Sequence, residues 1–536
     1  MQNFNAPHSG AAHNFAQVPK ADIPRSSFDR SSGRKTTFDA GYLTPVFVDE
    51  VLPGDTFNLN MTAFVRLATP LHPFMDNMYL DSFFFFVPYR LIWDNWQKFN
   101  GEQRNPGDTT SYVVPQIVST AVTGYANGTI FDYMGLPTKV PGLSHSALPL
   151  RAYNLIYNEW FRDQNLQNSV ANNVGDGPDA VGDYSLLRRG KRHDYFTSAL
   201  PWPQKGPSVA LPLSGNAPVT GLGKLNQTFG SGSVNVYETG TVGTVNYPNG
   251  QEINTGANGV LYMSGTAASG AYPQIYANLS AVTAATINQL RQSFQIQKLY
   301  ERDARGGTRY TEIIRAHFGV TSPDARLQRP EYLGGGSTPL NVTPVAQQSS
   351  TVSGSPQGNL AAFGTAVMKR HGFTKSFTEH GVIIGMVMAR ADLTYQQGLN
   401  RMWSRSTRWD FYWPALAMIG EQAVLNKEIY AQGSANPTED AAVFGYQERF
   451  AEYRYRPSDI TGKMRSNDAQ TLDTWHLSQK FTSLPALNAS FIVENPPVER
   501  VIAIPSEPQF LFDGLFSLNC ARPMPMYGVP GLIDHF

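Results

Sequence analysis

The most regular pattern in the chain lies between Phe57 and Leu67, where apolar side chains occupy every second position. Polar side chains fill the positions between them, and Phe64 is the exception on the polar face. A repeat of two residues is typical of a β-strand that buries one face. Because Pro53-Gly54 marks a turn before this segment and Pro70 closes it, the sequence predicts a well-bounded strand.

A second strand is predicted from Met78 to Val87. Its four consecutive phenylalanines, Phe83 to Phe86, are apolar on both sides of the chain, which is typical of a strand that is buried on both faces. Pro88 lacks the backbone N–H that a sheet requires, so the strand is expected to end there.

Apolar residues recur at helical spacing in three connecting segments. These segments are Tyr153–Phe161, Ile287–Phe294 and Tyr310–Phe318, the last followed by Gly319 in a position that ends a helix. Later strands are predicted at His380–Arg390, Ala489–Val493, Val501–Ile504 and Phe510–Leu518. Because early and late strands lie far apart in the sequence, their pairing predicts a mainly β Greek-key or jelly-roll sandwich with long insertions.

Three regions do not follow the sandwich pattern. Residues 1–40 have no hydrophobic period and predict an extended polar arm. Residues 214–276 are rich in Gly, Asn, Thr and Val and predict a variable β-rich surface insertion, for which a low-complexity loop is the alternative. The tract Gly334–Gly358 predicts a long loop. Residues 41–213 and 277–536 are left to form the sandwich core with its helical and loop insertions.

Composition narrows the class of protein. Hydrophobic residues make up 41% of the 536 residues, which excludes a wholly disordered chain. Its 42 basic side chains balance 42 acidic ones, which excludes a protein that wraps nucleic acid through bulk positive charge. The longest strongly apolar stretch, Val382–Ala389, is too short for a membrane helix, and we expect no secretory signal.

Local motifs for catalysis do not occur in the sequence. It contains no metalloprotease, phosphate-loop, dinucleotide-binding or serine-hydrolase motif, and its single cysteine is Cys520. His371 and His380 lie near Glu379, but no second pair of metal ligands accompanies them. The sequence therefore predicts no catalytic residue, no metal and no cofactor, and a protein that is not an enzyme.

Three clusters combine basic with aromatic residues. The first is Arg188-Arg189-Gly190-Lys191-Arg192-His193, followed by Tyr195-Phe196; the second interleaves Arg401, Arg405 and Arg408 with Trp403, Trp409, Tyr412 and Trp413; the third alternates Arg449, Arg454 and Arg456 with Phe450, Tyr453 and Tyr455. Cations and rings together hold single-stranded nucleic acid, but they also anchor protein interfaces. Both interpretations, and packing within the core, remain open from the sequence.

Five long and distinctive stretches carry a resemblance to a known family. They are Val18–Thr56, Ala68–Asn100 with its run MDNMYLDSFFFFVPYRLIWDNW, Arg192–Gly206, Phe318–Gly335 and Gly372–Ser404. In these stretches the chain resembles the major capsid proteins of gokushoviruses, a branch of the microviruses, which are small phages with single-stranded DNA. With the segments between them the resemblance covers most of the chain, and only about Gly221–Tyr276 finds no match in it.

The resemblance implies an eight-stranded antiparallel jelly roll, sixty copies in a T=1 icosahedral shell and no enzyme activity. It implies a virion protein, assembled in the host bacterial cytoplasm, that encloses a circular single-stranded DNA genome. A separate small basic protein is expected to condense that DNA, which agrees with the zero net charge of this chain. The insertion at 214–276 is expected to form a protrusion at the threefold axis and to contact a receptor on the host cell surface.

Basic side chains of the arm and of two clusters are then candidate contacts with the genome or with neighbouring subunits. They are Arg25, Arg30, Arg34, Lys35, Arg188, Lys191, Arg192, Arg401, Arg405 and Arg408. The alternative from another class is a jelly-roll carbohydrate-binding protein or enzyme, suggested only by the aromatic-rich β composition. Such a protein would stay a monomer or small oligomer, whereas a capsid protein forms shells.

Overall fold

The computed structural model describes residues 24–209, 287–321, 328–354 and 356–528, together with the backbone of four two-residue strands between positions 219 and 277. The chain divides into two compact units, Met1–Pro203 with Gly306–Phe536, and Gln204–Arg305. Residues 1–23 of the predicted arm and most of the predicted insertion at 214–276 lie outside the described residues, so both remain predictions.

The unit Gln204–Arg305 contains a long helix and short strands. The helix, Ile287–Gly306, confirms the prediction from helical spacing. Val219–Thr220 pairs antiparallel with Tyr276–Ala277, and Asn254–Thr255 pairs antiparallel with Leu261–Tyr262.

Ten strands of the other unit form two sheets. They are β1 (Ser26–Asp29), β2 (Ser32–Phe38), β3 (Thr44–Val51), β4 (Thr56–Leu67), β5 (Met78–Pro88), β6 (Glu331–Pro339), β7 (Asn341–Ala346), β8 (Leu360–Ser376), β9 (Gly381–Ala391) and β10 (Phe510–Arg522). The larger sheet has the order β1, β10, β4, β8, β7, with β2 also paired to β10, and the smaller sheet has the order β6, β5, β9, β3. Every pair in both sheets is antiparallel.

The strand order is that of a jelly roll. Apart from β1 and β7, the larger sheet contains β2, β10, β4 and β8, and the smaller sheet contains β3, β9, β5 and β6. Successive strands cross from one sheet to the other at nearly every connection, as in two nested Greek keys. The prediction of a mainly β, antiparallel jelly-roll sandwich is therefore confirmed.

The core between the two sheets is built from alternate residues. Strand β4 buries every second side chain from Phe57 to Leu67 and exposes those between, as its sequence pattern predicts. Rings from opposite sheets meet in this core: the centroids of Phe47 and Phe516 are 5.3 Å apart, and those of Phe84 and Phe373 are 5.7 Å apart. Each such side chain contributes roughly 1.5–3 kcal/mol through burial.

The smaller sheet is also covered on its outer face. All eleven residues of β9 are buried, and Phe85 packs in a second apolar cluster with Trp93 and Tyr153. Tyr153 lies on the helix Leu148–Ile156, which continues as the π-helical turn Tyr157–Phe161, and its hydroxyl donates to the carbonyl of Leu43 at 2.9 Å. The phenylalanine block of β5 is therefore buried from both sides, as predicted.

Short elements complete this unit. The strands are Gln116–Val118, Ser144–Ser146, Thr394–Tyr395, Glu421–Leu425, Val443–Glu448 and Ser458–Asp459; the helices are Trp96–Phe99, Ile130–Met134, Tyr310–Phe318, Asn426–Ile429, Pro437–Ala441 and Ala489–Ile492. Gly319 ends the helix Tyr310–Phe318 with φ 71°, as its position in the sequence predicts. A third apolar cluster, with Tyr395, Val424 and Phe444, joins the elements between β9 and β10.

Several local predictions are wrong. Ala489–Val493 is a helical turn rather than a strand, because the side chain of Asn488 caps it by accepting the N–H groups of Ser490 and Phe491. Val501–Ile504 forms only an isolated bridge, between Ile502 and Pro70. In the predicted arm 1–40, Ser26–Asp29 and Ser32–Phe38 are strands β1 and β2, which pair with β10, and the arm as a whole stays a prediction.

About half of the tract Gly334–Gly358, for which the sequence predicts a loop, is strand, because its first residues belong to β6 and Asn341–Ala346 is β7. A Cβ atom at Gly335 would lie 2.0 Å from the carbonyl oxygen of Ser82, and one at Gly334 would lie 2.4 Å from that of Gly372. The glycines thus let β6 approach the neighbouring backbone closely, and they mark close packing instead of a turn.

Candidate subunit and nucleic-acid contact sites

The second and third basic-aromatic clusters, almost fifty residues apart in the sequence, meet around one cleft. This cleft has a volume of 520 Å³, and its walls include Arg401, Arg405, Trp403, Tyr453 and Tyr455. The segment Arg401–Ser404 is a 3₁₀ turn whose preceding residue, Asn400, accepts the N–H of Met402, and Ala451–Tyr453 is another. Single turns of this kind hold long side chains on one side of the cleft.

Arg401 is engaged with a buried carboxylate of its own chain. One oxygen of Glu428 accepts from Arg401 at 3.0 Å, and the other accepts from the hydroxyl of Tyr195 at 2.9 Å. Burial raises the pKa of Glu428, and the charge of Arg401 opposes that shift. Arg401 therefore neutralises a buried negative charge of its own chain. Its positive charge is less available to a DNA phosphate for that reason.

Arg405 has a similar partner. Its guanidinium lies 3.4 Å from Glu452, a carboxylate that also accepts from the amide of Gln422 at 2.8 Å. The same guanidinium lies over the ring of Tyr453, 4.3 Å from its centroid. Arg405 is thus held by an ion pair to Glu452 and a cation–π contact with Tyr453, and Glu452 in turn binds Gln422 of the strand Glu421–Leu425.

Arg408 is exposed and held between two rings. Its guanidinium lies 4.7 Å from the ring centroid of Trp413 and 5.2 Å from that of Trp409. Asp410 fixes the turn beneath it, and hydrogen bonds from the backbone N–H groups of Thr407 and Ser406 lower the pKa of that carboxyl to about 2. Of the three arginines in this cluster, Arg408 is the one best placed for an outside partner.

Exposed apolar side chains lie on both sides of Arg408 in the sequence, and we refer to residues 402–419 as the aromatic segment. Its side chains include Trp403 at 71% exposure and Met418 at 97%, and Trp409, Phe411, Tyr412 and Ile419 are each at least half exposed. Exposed apolar patches of this kind mark interaction sites, and Trp, Tyr and Arg are the residues that dominate interface energetics.

The first cluster divides between the surface and the interior. Arg188 lies over the ring of Tyr42 at 4.1 Å and contacts Asn495, whereas Arg192 is exposed. Lys191 is only 6% exposed, and its ammonium lies over the ring of Phe491 at 4.5 Å. Burial lowers the pKa of Lys191. Its ammonium therefore has little surface to offer a phosphate or a neighbouring subunit, and a contact of either kind stays a prediction for this residue.

The basic residues of the predicted arm mostly fasten β1 and β2 to their own chain. Arg30 forms a two-pronged pair with Asp49, one bond being 2.8 Å, and Arg34 donates to the carbonyl of Tyr133 at 2.6 Å. Arg25 donates to Thr56. Lys35 is exposed and lies 3.4 Å from Asp513.

The acidic partners of these clusters are the functional residues that the sequence did not reveal. Glu452 lies within the third cluster, so its position could have been a signal, but nothing local marks Glu428. Among the described residues, no three His, Cys, Asp or Glu side chains come together to hold a metal ion. No helix in the described part of the chain is long and apolar enough to cross a membrane.

Comparison with known proteins relates the chain to capsid proteins. A family model described as "Capsid protein (F protein)" matches residues 16–532. The chain is 52% identical to Capsid protein VP1 of Bdellovibrio phage phiMH2K over 534 residues, which cover 98% of each chain. It is 48% identical to Capsid protein VP1 of Chlamydia phage 1, with 97% of each chain covered.

A more distant relative shows the same relationship. Identity to Capsid protein VP1 of Spiroplasma virus 4 is 38%, with 99% of each chain covered. These names assign a structural role rather than an enzymatic one. The chain therefore belongs to the F-protein family of phage capsid proteins, in its gokushovirus branch, as a major capsid protein that self-assembles into the shell of the virion.

Proposed function

We propose that sixty copies of this chain form a T=1 icosahedral shell around a circular single-stranded DNA genome, assembled in the cytoplasm of the host bacterium. The jelly roll supports this proposal, because long connections join its strands and give copies of the chain surfaces through which they can meet. The exposed aromatic segment is the observation that carries it. A single soluble chain gains nothing from exposing Trp403, Trp409 and Met418 to water.

The aromatic segment is assigned to contacts between copies rather than to the genome. Arg401 and Arg405 are already compensated by Glu428 and Glu452, so little positive charge remains there for phosphates. The exposed rings and Met418 instead supply the apolar anchors that protein interfaces use. Arg408 would lie at the edge of that interface, where its charge stays hydrated.

Two further partners belong to the proposal. The net charge of zero supports a separate small basic protein that condenses the DNA, because this chain cannot neutralise a genome by itself. The insertion at 214–276 is proposed as a threefold protrusion that contacts a host receptor. Its support is that the insertion belongs to a second compact unit, Gln204–Arg305, which contains none of the ten strands of the jelly roll.

The test is assembly of the purified chain, followed by size exclusion and electron microscopy. Wild-type protein is expected to give closed shells. A variant with Trp403→Ala and Met418→Ala is expected to remain soluble and folded but to lose most of its shells, because two exposed anchors are gone.

Val122→Ala with Met75→Ala serves as the matched control, since both residues are exposed at 84% and 74% outside the aromatic segment. Normal shell yield from the Trp403/Met418 variant would contradict the assignment of that segment. A wild-type chain that stays monomeric under assembly conditions would contradict the proposed shell.

A further inference from the structure

The two sheets of the jelly roll differ in what covers their outer faces. Within the described residues, the helix Leu148–Ile156 and the segments around it cover the smaller sheet. The larger sheet leaves apolar side chains exposed to solvent. On β4 and β10 these are Phe64, Leu511 and Leu515, each about half exposed, and β8 adds Phe363 and Val367. An antiparallel sheet that faces water normally carries polar residues on its solvent-exposed face. The exposed apolar residues therefore indicate that a partner binds this face.

A bulge places two cations beside these apolar residues. The pairing of β8 with β4 shifts between Met368 and His371, so Lys369 and Arg370 stand together opposite Thr62. Both side chains are exposed. Bulges re-aim side chains and recur next to functional sites, and this bulge doubles the positive charge at one point of the face.

The backbone at the bulge is strained. Arg370 has φ 59°, in the left-handed region that residues other than Gly, Asn and Asp rarely adopt. Nothing in the core requires an arginine at this exposed position. A strained backbone that presents a charged side chain is typical of a functional site.

The cations on this face have few acidic neighbours. Lys35 pairs with Asp513 at 3.4 Å, but in the described part of the chain no carboxylate lies within ion-pair distance of Arg66, Lys369 or Arg370. The face therefore has local positive charge on a protein whose net charge is zero.

A shallow groove crosses the same face over β2, β10 and β4. It has a volume of 480 Å³ and is lined by Lys35, Thr36, Thr37, Phe64, Arg66, Leu511, Phe512 and Asp513. Phe64 thus stands between this groove and the cations of the bulge. Its ring is the flat apolar surface on which an unpaired base can stack.

We propose that this face binds single-stranded DNA, with a base on Phe64 and phosphates on Arg66, Lys369 and Arg370. We refer to these four residues as the sheet platform. The inference rests on the proposed function, in which the shell encloses such DNA, and it requires the larger sheet to face the interior. A second copy of the chain fits less well, because a symmetric contact would bring the same unpaired cations together.

The test uses the full-length purified chain and a fluorescent twenty-nucleotide oligo(dT), with anisotropy measured over a series of NaCl concentrations. Lys369→Gln with Arg370→Asn is expected to weaken binding and to lower the slope of log affinity against log salt by about 1.4, since each contact to a single strand contributes about 0.7. Phe64→Ala is expected to weaken binding about tenfold with an unchanged slope.

Arg104→Gln with Lys463→Gln is the control for charge, because it removes two exposed cations that do not belong to the larger sheet. Wild-type affinity in the platform variants, or an equal loss in the control, would overturn the inference. Asn tolerates the left-handed backbone, so Arg370→Asn is expected to melt at the wild-type temperature or above.

A second measurement does not depend on variants. Ultraviolet crosslinking of wild-type particles, followed by peptide mapping, is expected to attach nucleotides to the peptide that contains Phe64. Crosslinks confined to other peptides would overturn the inference while leaving the shell intact. If the proposed function itself were wrong, the result would differ, because the wild-type chain would form no DNA-containing shells at all.

Discussion

At the scale of single residues, what surrounds an arginine decides what its charge can do. Arg401 and Arg408 belong to the same sequence cluster, yet Arg401 is bound to Glu428 and Arg408 lies exposed between two rings. The sequence identifies both as basic residues among aromatics. It cannot distinguish them, because Glu428 is brought to Arg401 by tertiary packing across 27 positions.

Glu494 makes stability depend on pH. It is 2% exposed, and burial raises its pKa from 4.5 to about 7, against the opposing charges of Lys191, Arg189 and Arg390. Between these two values the folded chain holds a proton that the unfolded chain has lost. The stabilisation by this group is therefore complete below pH 4.5 and is lost as the pH rises to 7.

We predict that the free energy of unfolding of the wild type falls by about 2–3 kcal/mol relative to Glu494→Gln between pH 5 and pH 8. Glutamine stays neutral throughout, so the difference between the two proteins isolates this carboxyl. Urea denaturation of unassembled protein at both pH values measures it. A difference that is the same at pH 5 and pH 8 would show that Glu494 does not titrate in this range.

At the scale of elements, strands with a strong pattern could be predicted and those without one could not. Strands β4, β5, β9 and β10 follow alternating or wholly apolar runs, and the structure places them within a few residues of the predicted bounds. The sequence does not predict strand β6, because a run of glycines is typical of a loop. These glycines are needed because the backbones of Ser82 and Gly372 lie close to them, and that closeness arises only in the folded sheet.

Replacement of one of these glycines has a sharp expected result. Gly335→Ala should lower the free energy of unfolding by about 3 kcal/mol, because the new Cβ would lie 2.0 Å from a backbone oxygen that cannot move aside. Gly107→Ala is the control, since a Cβ there meets nothing within 4 Å. Denaturation of both variants checks the prediction, and equal stability would mean that β6 does not lie as close as the structure indicates.

The candidate sites follow the same division. The basic-aromatic residues around the cleft could be singled out from composition, but their meeting in one place could not, because residues near 401 and 453 lie in separate turns. No pattern in the sequence indicates the sheet platform. Phe64 looked like an exception to an alternating strand, and Lys369-Arg370 looked like two ordinary surface charges.

At the scale of the whole molecule, the division into two units has a consequence for infection. We predict that replacing Gly221–Tyr272 by a short Gly-Ser bridge leaves shell assembly intact but abolishes adsorption to cells. The reason is that this segment belongs to the compact unit Gln204–Arg305, which contains none of the ten strands of the jelly roll. Particle counts by electron microscopy and an adsorption assay measure the two effects.

Ionic strength provides the control for that experiment. Only three charged residues lie between Gly206 and Leu290, so adsorption of wild-type particles is expected to change little with salt. Full adsorption by the shortened particle would contradict a role in recognition, and a failure to form shells would contradict its independence from assembly.

The position of β10 links the fold to the synthesis of the chain. This strand lies between β2 and β4 in the larger sheet. Phe38 of β2 therefore cannot form its strand pairing until Phe510 has been synthesised, about 470 residues later. At 5–20 residues per second a bacterial ribosome needs roughly half a minute to a minute and a half to make that partner. Until then β2 and β4 have unpaired edges, and a chain that terminates early never closes its larger sheet. We therefore expect translation to finish before a copy can enter a shell. Incomplete chains would be excluded from shells because they cannot form the complete larger sheet.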